Sequence, residues 1–447
     1  MSRDRELRVM IASSYPLRES DPAGVPDYVK QEKKALEDKG VRVLTVGPRI
    51  KDGENNVADE TLGSFSLSFR NTGTRHTNAL TMGKREVREV LERFRPDVVN
   101  PHNLSFMSHT LMTAAPRGVD GESVPAFVTT YHAQMEVLGR REKTMIAIGQ
   151  RLRRPELRRM LRLTPGFGQT LFDTPIRNIA VSESTARMWK EIKPDLSLAV
   201  IPNGIDTELL VPDGDTFDWY KKDGKTTILF AGRHEERKGI PDLIEAFHLL
   251  QKNRDNLQLV VAGKGEMTEE LQMMVRRYGL SRSIIFTGMI PTVDMPKLYR
   301  STDIFVAPSR LGEGFLRTIA EAMSTGKPIV STDIAGVRDW AKGHDFTRLA
   351  EPANPEDLAK NMNELVVMSR DNRKKLGEDA RAHIVDHFDW NGVIAGKLVD
   401  VFESATRERR DEDPLGWLKV KQKTPMDVRM RRARERWGNV RRRFLGE

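Results

Sequence analysis

Short runs of Val, Ile, Leu and other apolar residues alternate with helix-length segments along most of this chain, and no other feature narrows its fold as far. In the first half the runs fall at 7–13, 41–46, 97–100, 126–131, 178–182 and 199–201. A second series follows at 227–231, 258–262, 284–287, 304–307 and 328–331. Strands that are apolar almost throughout have no face for water, so they belong to parallel sheets covered by helices on both sides. Two such series predict two doubly wound α/β domains. Between them Pro212, Asp213, Gly214, Asp215, Asp223 and Gly224 cluster without periodicity, as linkers do. The expected division is a first Rossmann-like domain over 1–208, a second over 220–388, and C-terminal helices over 389–447 that return towards the first domain. Open α/β sheets bind ligands beyond the carboxyl ends of their strands, so the cleft between the domains is the expected site.

The chain has 447 residues, enough for two domains of about 150–200 residues each. It is 38% hydrophobic and 31% charged, a balance that can bury ordinary cores. It has no cysteine, which removes disulfide scaffolds, thiolate metal sites and Cys nucleophiles together. The N-terminus carries no apolar signal core, and no stretch approaches the roughly 18 apolar residues that span a bilayer, so a cytoplasmic protein is expected.

The net charge of +9 is unevenly spread. Residues 415–447 hold eleven Lys/Arg against three acidic residues, and residues 140–162 hold nine against two, which leaves the rest of the chain acidic. Two local anionic contacts fit this better than a globally cationic surface. In the tail, Met426, Met430, Ala433, Trp437, Val440 and Phe444 recur at helical spacing among arginines. Such a helix packs its stripe on the protein body, lies on an anionic membrane surface, or contacts a nucleic acid or protein partner. No nucleic-acid motif is present, and no nucleic acid is expected as a partner.

Two places could carry chemistry. The run 228–231 leads into Gly232-Arg233-His234-Glu235-Glu236-Arg237-Lys238-Gly239 and then a helix patterned from Pro241. A forked guanidinium on Arg233 and a mobile ammonium on Lys238, beside a helix start, can clamp a diphosphate; an ordinary solvated loop is the alternative. The second place is Gly312-Glu313-Gly314-Phe315-Leu316-Arg317-Thr318-Ile319-Ala320-Glu321, after the run ending at Pro308-Ser309. Here Glu313 lies in a loop and Glu321 about two turns along the helix that follows, so the two carboxylates can accept bonds from sugar hydroxyls at different depths. Two isolated glutamates are more often simply surface.

The order and spacing of Ile201-Pro202-Asn203-Gly204, Gly232-Arg233 with Lys238-Gly239, Ala262-Gly263-Lys264-Gly265, Phe286-Thr287-Gly288, Leu298-Tyr299-Arg300 and the Glu-x7-Glu block closely resemble the nucleotide-sugar domain of family 4 retaining glycosyltransferases. That resemblance implies a GT-B fold and transfer of a sugar from a nucleotide diphosphate sugar with retained anomeric configuration. It implies that Arg233 and Lys238 hold the diphosphate, Glu313 the sugar hydroxyls and Glu321 the ribose, with the backbone of Gly232, Gly314, Phe315 and Leu316 near the donor. Leu316 replaces the usual glycine. In the first half Gly24 resembles the family's glycine loop, with Ala23 in place of a second glycine, and His132 resembles the histidine that reaches the donor sugar. His102 and His109 have no comparable support.

The resemblance further implies that the charge growing on the departing diphosphate is met by Arg233 and Lys238, with no metal and no cofactor beyond the donor. No side chain is assigned as general base. The expected acceptor is a lipid-linked or polysaccharide glycoconjugate, with 140–162 and 415–447 docking on anionic lipid at the inner face of the cell membrane. The competing expectations are a non-catalytic nucleotide-sugar-binding or assembly protein, and a sugar-nucleotide epimerase or phosphorylase of the same fold. A nicotinamide dehydrogenase is disfavoured, since the first strand leads to Ser13-Ser14-Tyr15-Pro16 instead of Gly-x-Gly-x-x-Gly.

Overall fold

Among the described residues thirteen strands pair in parallel, and they sort into two sheets. A computed structural model describes residues 6–13, 17, 25–48, 58–62, 64–65, 81–82, 84–102, 111–112, 125–132, 176–217, 224–252, 254–312 and 314–411. The first sheet uses β1 (Arg8–Ser13), β2 (Arg42–Pro48), β3 (Glu60–Leu62), β6 (Val98–His102), β7 (Ala126–Tyr131), β8 (Arg177–Ala180) and β9 (Leu198–Val200) in the order β3-β2-β1-β6-β7-β8-β9. β4 (Ser64–Phe65) and β5 (Thr81–Met82) make a separate antiparallel pair. The second sheet uses β10 (Thr226–Ala231), β11 (Leu257–Ala262), β12 (Ile284–Gly288), β13 (Ile304–Ala307), β14 (Ile329–Thr332) and β15 (Thr347–Ala350) in the order β12-β11-β10-β13-β14-β15.

Each sheet reverses its winding at one place. The chain leaves β1 on one side for β2 and passes back on the other to β6; likewise it leaves β10 for β11 and returns beside β10 as β13. Loops at such a reversal diverge and open a crevice at the carboxyl ends of the strands. Strands β10, β13 and β14 are buried along their whole length, as runs such as Ile304-Phe305-Val306-Ala307 require.

Helices α1 (Val25–Asp38), α2 (Lys84–Phe94) and α3 (Glu183–Ile192) belong to the first lobe. The second carries α4 (Ile240–Gln251), α5 (Thr268–Arg277), α6 (Met295–Arg300), α7 (Arg317–Ser324), α8 (Arg338–Ala341), α9 (Pro355–Val366) and α10 (Arg370–Phe388). Their starts are marked in the sequence: the Ser182, Asn354 and Ser369 side chains accept bonds from the backbone N–H groups of Thr185, Asp357 and Asn372. Apolar clusters fill both faces of each sheet.

After α10 the chain makes a π-helical turn, Trp390–Ile394, and enters α11 (Ala395–Asp411), whose Leu398, Phe402 and Ala405 pack into the core of the first lobe. Two strands of chain therefore cross between the lobes side by side. Ile205 N donates to Phe388 O (2.8 Å) and Trp390 N to Ile205 O (3.1 Å). Gly204 lies flat beneath Trp390, whose indole carbon a Cβ there would meet at 2.2 Å. Among the described residues no helix is long and apolar enough to cross a membrane. The basic segments 140–162 and 415–447 lie outside the described residues.

Candidate active site

The cationic loop begins where β10 ends. Gly232 N donates to Ala262 O (3.1 Å) and His234 N to Lys264 O (3.2 Å), so the loop leaves the sheet side by side with the exit of β11. Gly263 permits this approach: its φ is +121°, and a Cβ would stand 1.9 Å from Gly232 O. His234 turns inward, fully buried, with Nδ1 2.9 Å from Thr268 Oγ1, and burial lowers its pKa.

Arg233 faces outward. Its side chain is 55% exposed and pairs with Glu235 at 3.1 Å. Glu235 also accepts from Arg237 Nε at 2.8 Å. Burial pushes the Glu235 carboxyl up, but Arg233, Arg237 and Lys238 together outweigh it and hold it below its ordinary value. Three cations thus surround one carboxylate, a surplus of positive charge beside a helix start. Lys238 ends a 3₁₀ turn over Glu236–Lys238 that precedes α4. Gly239, at φ +66°, closes that turn onto Pro308, where a Cβ would lie 1.9 Å from the carbonyl oxygen.

The loop after β13 is fastened to this one. Arg310 N donates to Arg237 O (2.8 Å), and the Arg310 guanidinium forks onto both carboxylate oxygens of Asp242 at 2.7 Å each. The same loop runs on to Gly314, Phe315 and Leu316. The last two side chains are buried, Phe315 against Phe388. Leu316 sits at φ −84°, ψ 84°, a conformation open to any side chain, so the absence of glycine there imposes no strain.

Helix α7 begins at Arg317, so Glu321 stands about one turn along it, not the two turns expected from the sequence. Its carboxylate accepts from the Tyr299 hydroxyl (2.6 Å) and pairs with Arg317 Nε (2.7 Å), leaving 12% of the side chain exposed. Arg317 also pairs with Asp27 at the start of α1, across the lobe boundary. Burial raises the Tyr299 pKa well above its ordinary value, and Glu321 adds to the effect.

From the first lobe His132 follows directly on β7, partly exposed. Its carbonyl oxygen packs on Gly314, where a Cβ would come within 2.1 Å, so the predicted histidine and the loop flanking Glu313 meet between the lobes. Burial, then the neighbouring His102, holds the His132 imidazole well below its ordinary pKa, against a smaller opposing effect from the Asn203 side chain. His102 Nδ1 lies 2.8 Å from His132 Nε2, and His102 Nε2 lies 3.0 Å from Glu32 Oε2. Two further contacts tie the lobes: Ser184 N donates to Asp339 Oδ2 (2.7 Å) and Arg187 pairs with Asp339 at 3.0 Å.

The structure thus brings Arg233 and Lys238 onto one loop, Gly232 beneath them, and Gly314, Phe315 and Leu316 onto the loop bonded to it, facing His132. Glu321 stands at the head of α7. Glu313 and Gly24 lie outside the described residues. His102, which had no support from the family resemblance, contacts His132, and His109 lies outside the described residues. Sequence reasoning also missed Glu32, Asp27 and Arg317. The available signals were His102 at the carboxyl end of a parallel strand, and Glu32 spaced among Val29 and Leu36 on the buried stripe of α1.

Comparison with known proteins places this arrangement. The model of Glycosyltransferase Family 4 matches residues 22–209, and that of glycosyl transferases group 1 matches residues 214–383. A phosphatidyl-myo-inositol mannosyltransferase of Mycobacterium leprae is 30% identical over 230 residues, covering 51% of this chain and 59% of that protein. A lipopolysaccharide 1,2-N-acetylglucosaminetransferase of Salmonella typhimurium is 25% identical, covering 54% and 66%. The match spans about three-fifths of the length of the mannosyltransferases. Among solved structures, a glycosyltransferase from Rickettsia africae superposes with TM-score 0.65 at 18% identity, covering 91% of this chain and 100% of that one. Anabaena HepE in complex with UDP and glucose superposes with TM-score 0.66 at 16% identity, covering 89% and 100%. The two family models follow one another along most of the chain, on an architecture shared with these structures, and the protein therefore belongs to the family 4 glycosyltransferases of GT-B fold.

Proposed function

We propose that the protein transfers a hexose-type sugar from a nucleoside diphosphate sugar to a lipid-linked or polysaccharide acceptor, with retained anomeric configuration and without a metal. The observation that carries this reading is the fastening of the Arg233–Lys238 loop to the loop that meets His132 across the lobes. A diphosphate at the start of α4 would meet a surplus of cations, and fixed cations aimed at the departing diphosphate lower the barrier to breaking the glycosidic bond. Because Arg233 and Lys238 supply that charge, the step needs no Lewis acid.

Glu321 is assigned to the ribose hydroxyls, Glu313 to those of the sugar, and the backbone near Gly24, Gly232, Gly314, Phe315 and Leu316 to the donor. Closure of the lobes would exclude water from the sugar before it reaches the acceptor. The lipid-linked acceptor is supported by relatives named for phosphatidyl-myo-inositol and for lipopolysaccharide. The basic segments 140–162 and 415–447 would hold the cleft against anionic lipid at the inner face of the membrane.

The test has two arms. UDP-, GDP- and ADP-sugars are screened for a rise in Tm, and the stabilising donor is then incubated with lipid-linked and polysaccharide acceptors while the product's anomeric configuration is read by NMR. Stabilisation by one donor class and an acceptor-dependent release of nucleoside diphosphate is the expected result. Donor consumption without acceptor, or donor binding with no transfer to any acceptor, would count against it.

A further inference from the structure

Beneath the lobe junction, α1, β6 and β7 converge on a polar cluster that the proposed reaction has not used. The Glu32 and His102 side chains are both 0% exposed, and His102 Nε2 lies 3.0 Å from Glu32 Oε2. The other ring nitrogen of His102, Nδ1, lies 2.8 Å from His132 Nε2. Asn100 Nδ2 donates to Glu32 Oε1 (3.2 Å), and Thr130 Oγ1 donates to Asn100 Oδ1 (3.0 Å), which orients the amide. Tyr28 sets the edge of its ring on His132 (centroids 4.6 Å apart), leans on His102 (5.5 Å) and is covered by Trp390 (5.1 Å). The two imidazole planes lie 19° apart with centroids 5.0 Å apart, so the rings meet edge to edge.

A carboxylate closed off from water is costly even when paired, and an apolar side chain would fill the same space on the buried stripe of α1 without that cost. Its presence here, one imidazole ring away from a histidine at the cleft, asks for a purpose. We propose that Glu32 and His102 are positioning residues: they fix which ring nitrogen of His132 carries the proton and which edge of that ring faces the donor sugar. This inference rests on the function proposed above.

The proton order follows from the donor set. His102 Nε2 faces both Asn100 Nδ2 at 3.4 Å and Glu32 Oε2 at 3.0 Å; the nearer carboxylate can only accept, so we assign the proton of a neutral His102 to Nε2, which leaves the lone pair on Nδ1. His132 must then carry its proton on Nε2, and its Nδ1 keeps the lone pair. The charged or titratable groups that face this chain are Glu32 and Tyr28 from α1, His102 from β6, and, one residue before Tyr28 on α1, Asp27 in its pair with Arg317. Thr130, Asn100 and Asn203 contribute neutral groups.

Glu32→Gln separates position from shape. Because Asn100 donates to the Oε1 side, the glutamine oxygen settles there and its amide NH₂ faces His102 Nε2. The proton order along both rings then reverses, and His132 carries its proton on Nδ1, while volume and packing stay the same. Wrong-tautomer variants of this kind lose turnover with their geometry intact.

The experiment reads the ring nitrogens of ¹⁵N-histidine-labelled protein by NMR, with His102 and His132 assigned by substitution, beside steady-state transfer with the donor found above. The expected result is Nε2–H on His132 in the unmodified chain and Nδ1–H in Glu32→Gln. The variant's kcat should fall about 10–100-fold, with little change in donor KM or Tm. His102→Asn, whose short amide can still accept from His132, should retain more turnover than His102→Phe. The same His132 tautomer in both proteins, or a loss of kcat that only tracks a loss of Tm, overturns the inference. The tautomer readout needs no donor, so it stands or falls apart from the functional reading, which fails if the unmodified chain consumes no UDP-, GDP- or ADP-sugar.

Discussion

Arg233 owes its outward direction to the residue beside it. His234 points into the protein and bonds Thr268, so its neighbour must face solvent. Removing the Arg233 guanidinium deletes an exposed ion pair worth about 0–1 kcal/mol and, under the proposed function, takes one fixed cation from the leaving group. Arg233→Ala and Lys238→Ala should therefore lower kcat about 10²–10³-fold, the range seen when one charge-stabilising donor is lost, with Tm nearly unchanged. Parallel loss of Tm in a melting experiment would make these side chains scaffold instead. Burial leads the lowering of both the His132 and His234 pKa values. A histidine held neutral in the fold, with an unfolded pKa near about 6.5, contributes stability that is complete above that pH and is lost on acidification. Urea midpoints should hold from pH 8 to 7 and drop from pH 6.5 to 5, with a shallower drop in His234→Gln. At this scale the cationic loop after β10 and the helix that carries Glu321 could be read as candidates, because their motif is contiguous along the chain. Glu32 and His102 were not, because their meaning lies in a contact between a helix and a strand end far apart in sequence.

The elements show the same division between local and non-local information. The apolar runs gave the strands of both series, since a strand buried on both faces must be apolar nearly throughout. Edge strands β3, Glu60-Thr61-Leu62, and β15, Thr347-Arg348-Leu349-Ala350, escaped because they are short and carry polar residues, as edges do. The 3₁₀ turn between β10 and α4 also left no periodic trace, and it is what sets Lys238 at the head of the helix. Gly239 makes the turn possible. Alanine there would combine a left-handed φ, costing about 1–3 kcal/mol for a side-chain-bearing residue, with a Cβ driven into Pro308 O. Gly239→Ala should lower the urea midpoint and, because it displaces Lys238, weaken the Tm rise given by the stabilising nucleotide sugar. An unchanged donor-induced shift in a destabilised variant would separate the turn from the clamp.

Between whole lobes the decisive contacts join residues that no local pattern associates. The two chain crossings are locked by the 205–207 segment against Phe388–Trp390, and Trp390 donates to Gln31 Oε1 at 2.7 Å, which ties the crossing to α1. Nearer the site, Arg317 reaches Asp27 while Gly314 sits against the His132 carbonyl. Gly314 offers the cleanest test of what the junction does. The obstruction to a side chain there comes from the other lobe, where the added Cβ would stand 2.1 Å from His132 O. Ordinary van der Waals contact needs more than an ångström beyond that. Gly314→Ala should therefore leave each lobe's core intact and hold the lobes slightly apart at the point where His132 meets the loop fastened to the cationic one. A misplacement of that size can cost about 10²-fold in rate. The expected signature is a fall in kcat of that order, with Tm little changed and a radius of gyration by small-angle scattering that no longer contracts when the donor is added. If the variant closes and turns over like the unmodified chain, the lobes do not meet at Gly314 during transfer, and the assignment of His132 to the donor sugar loses its geometric basis.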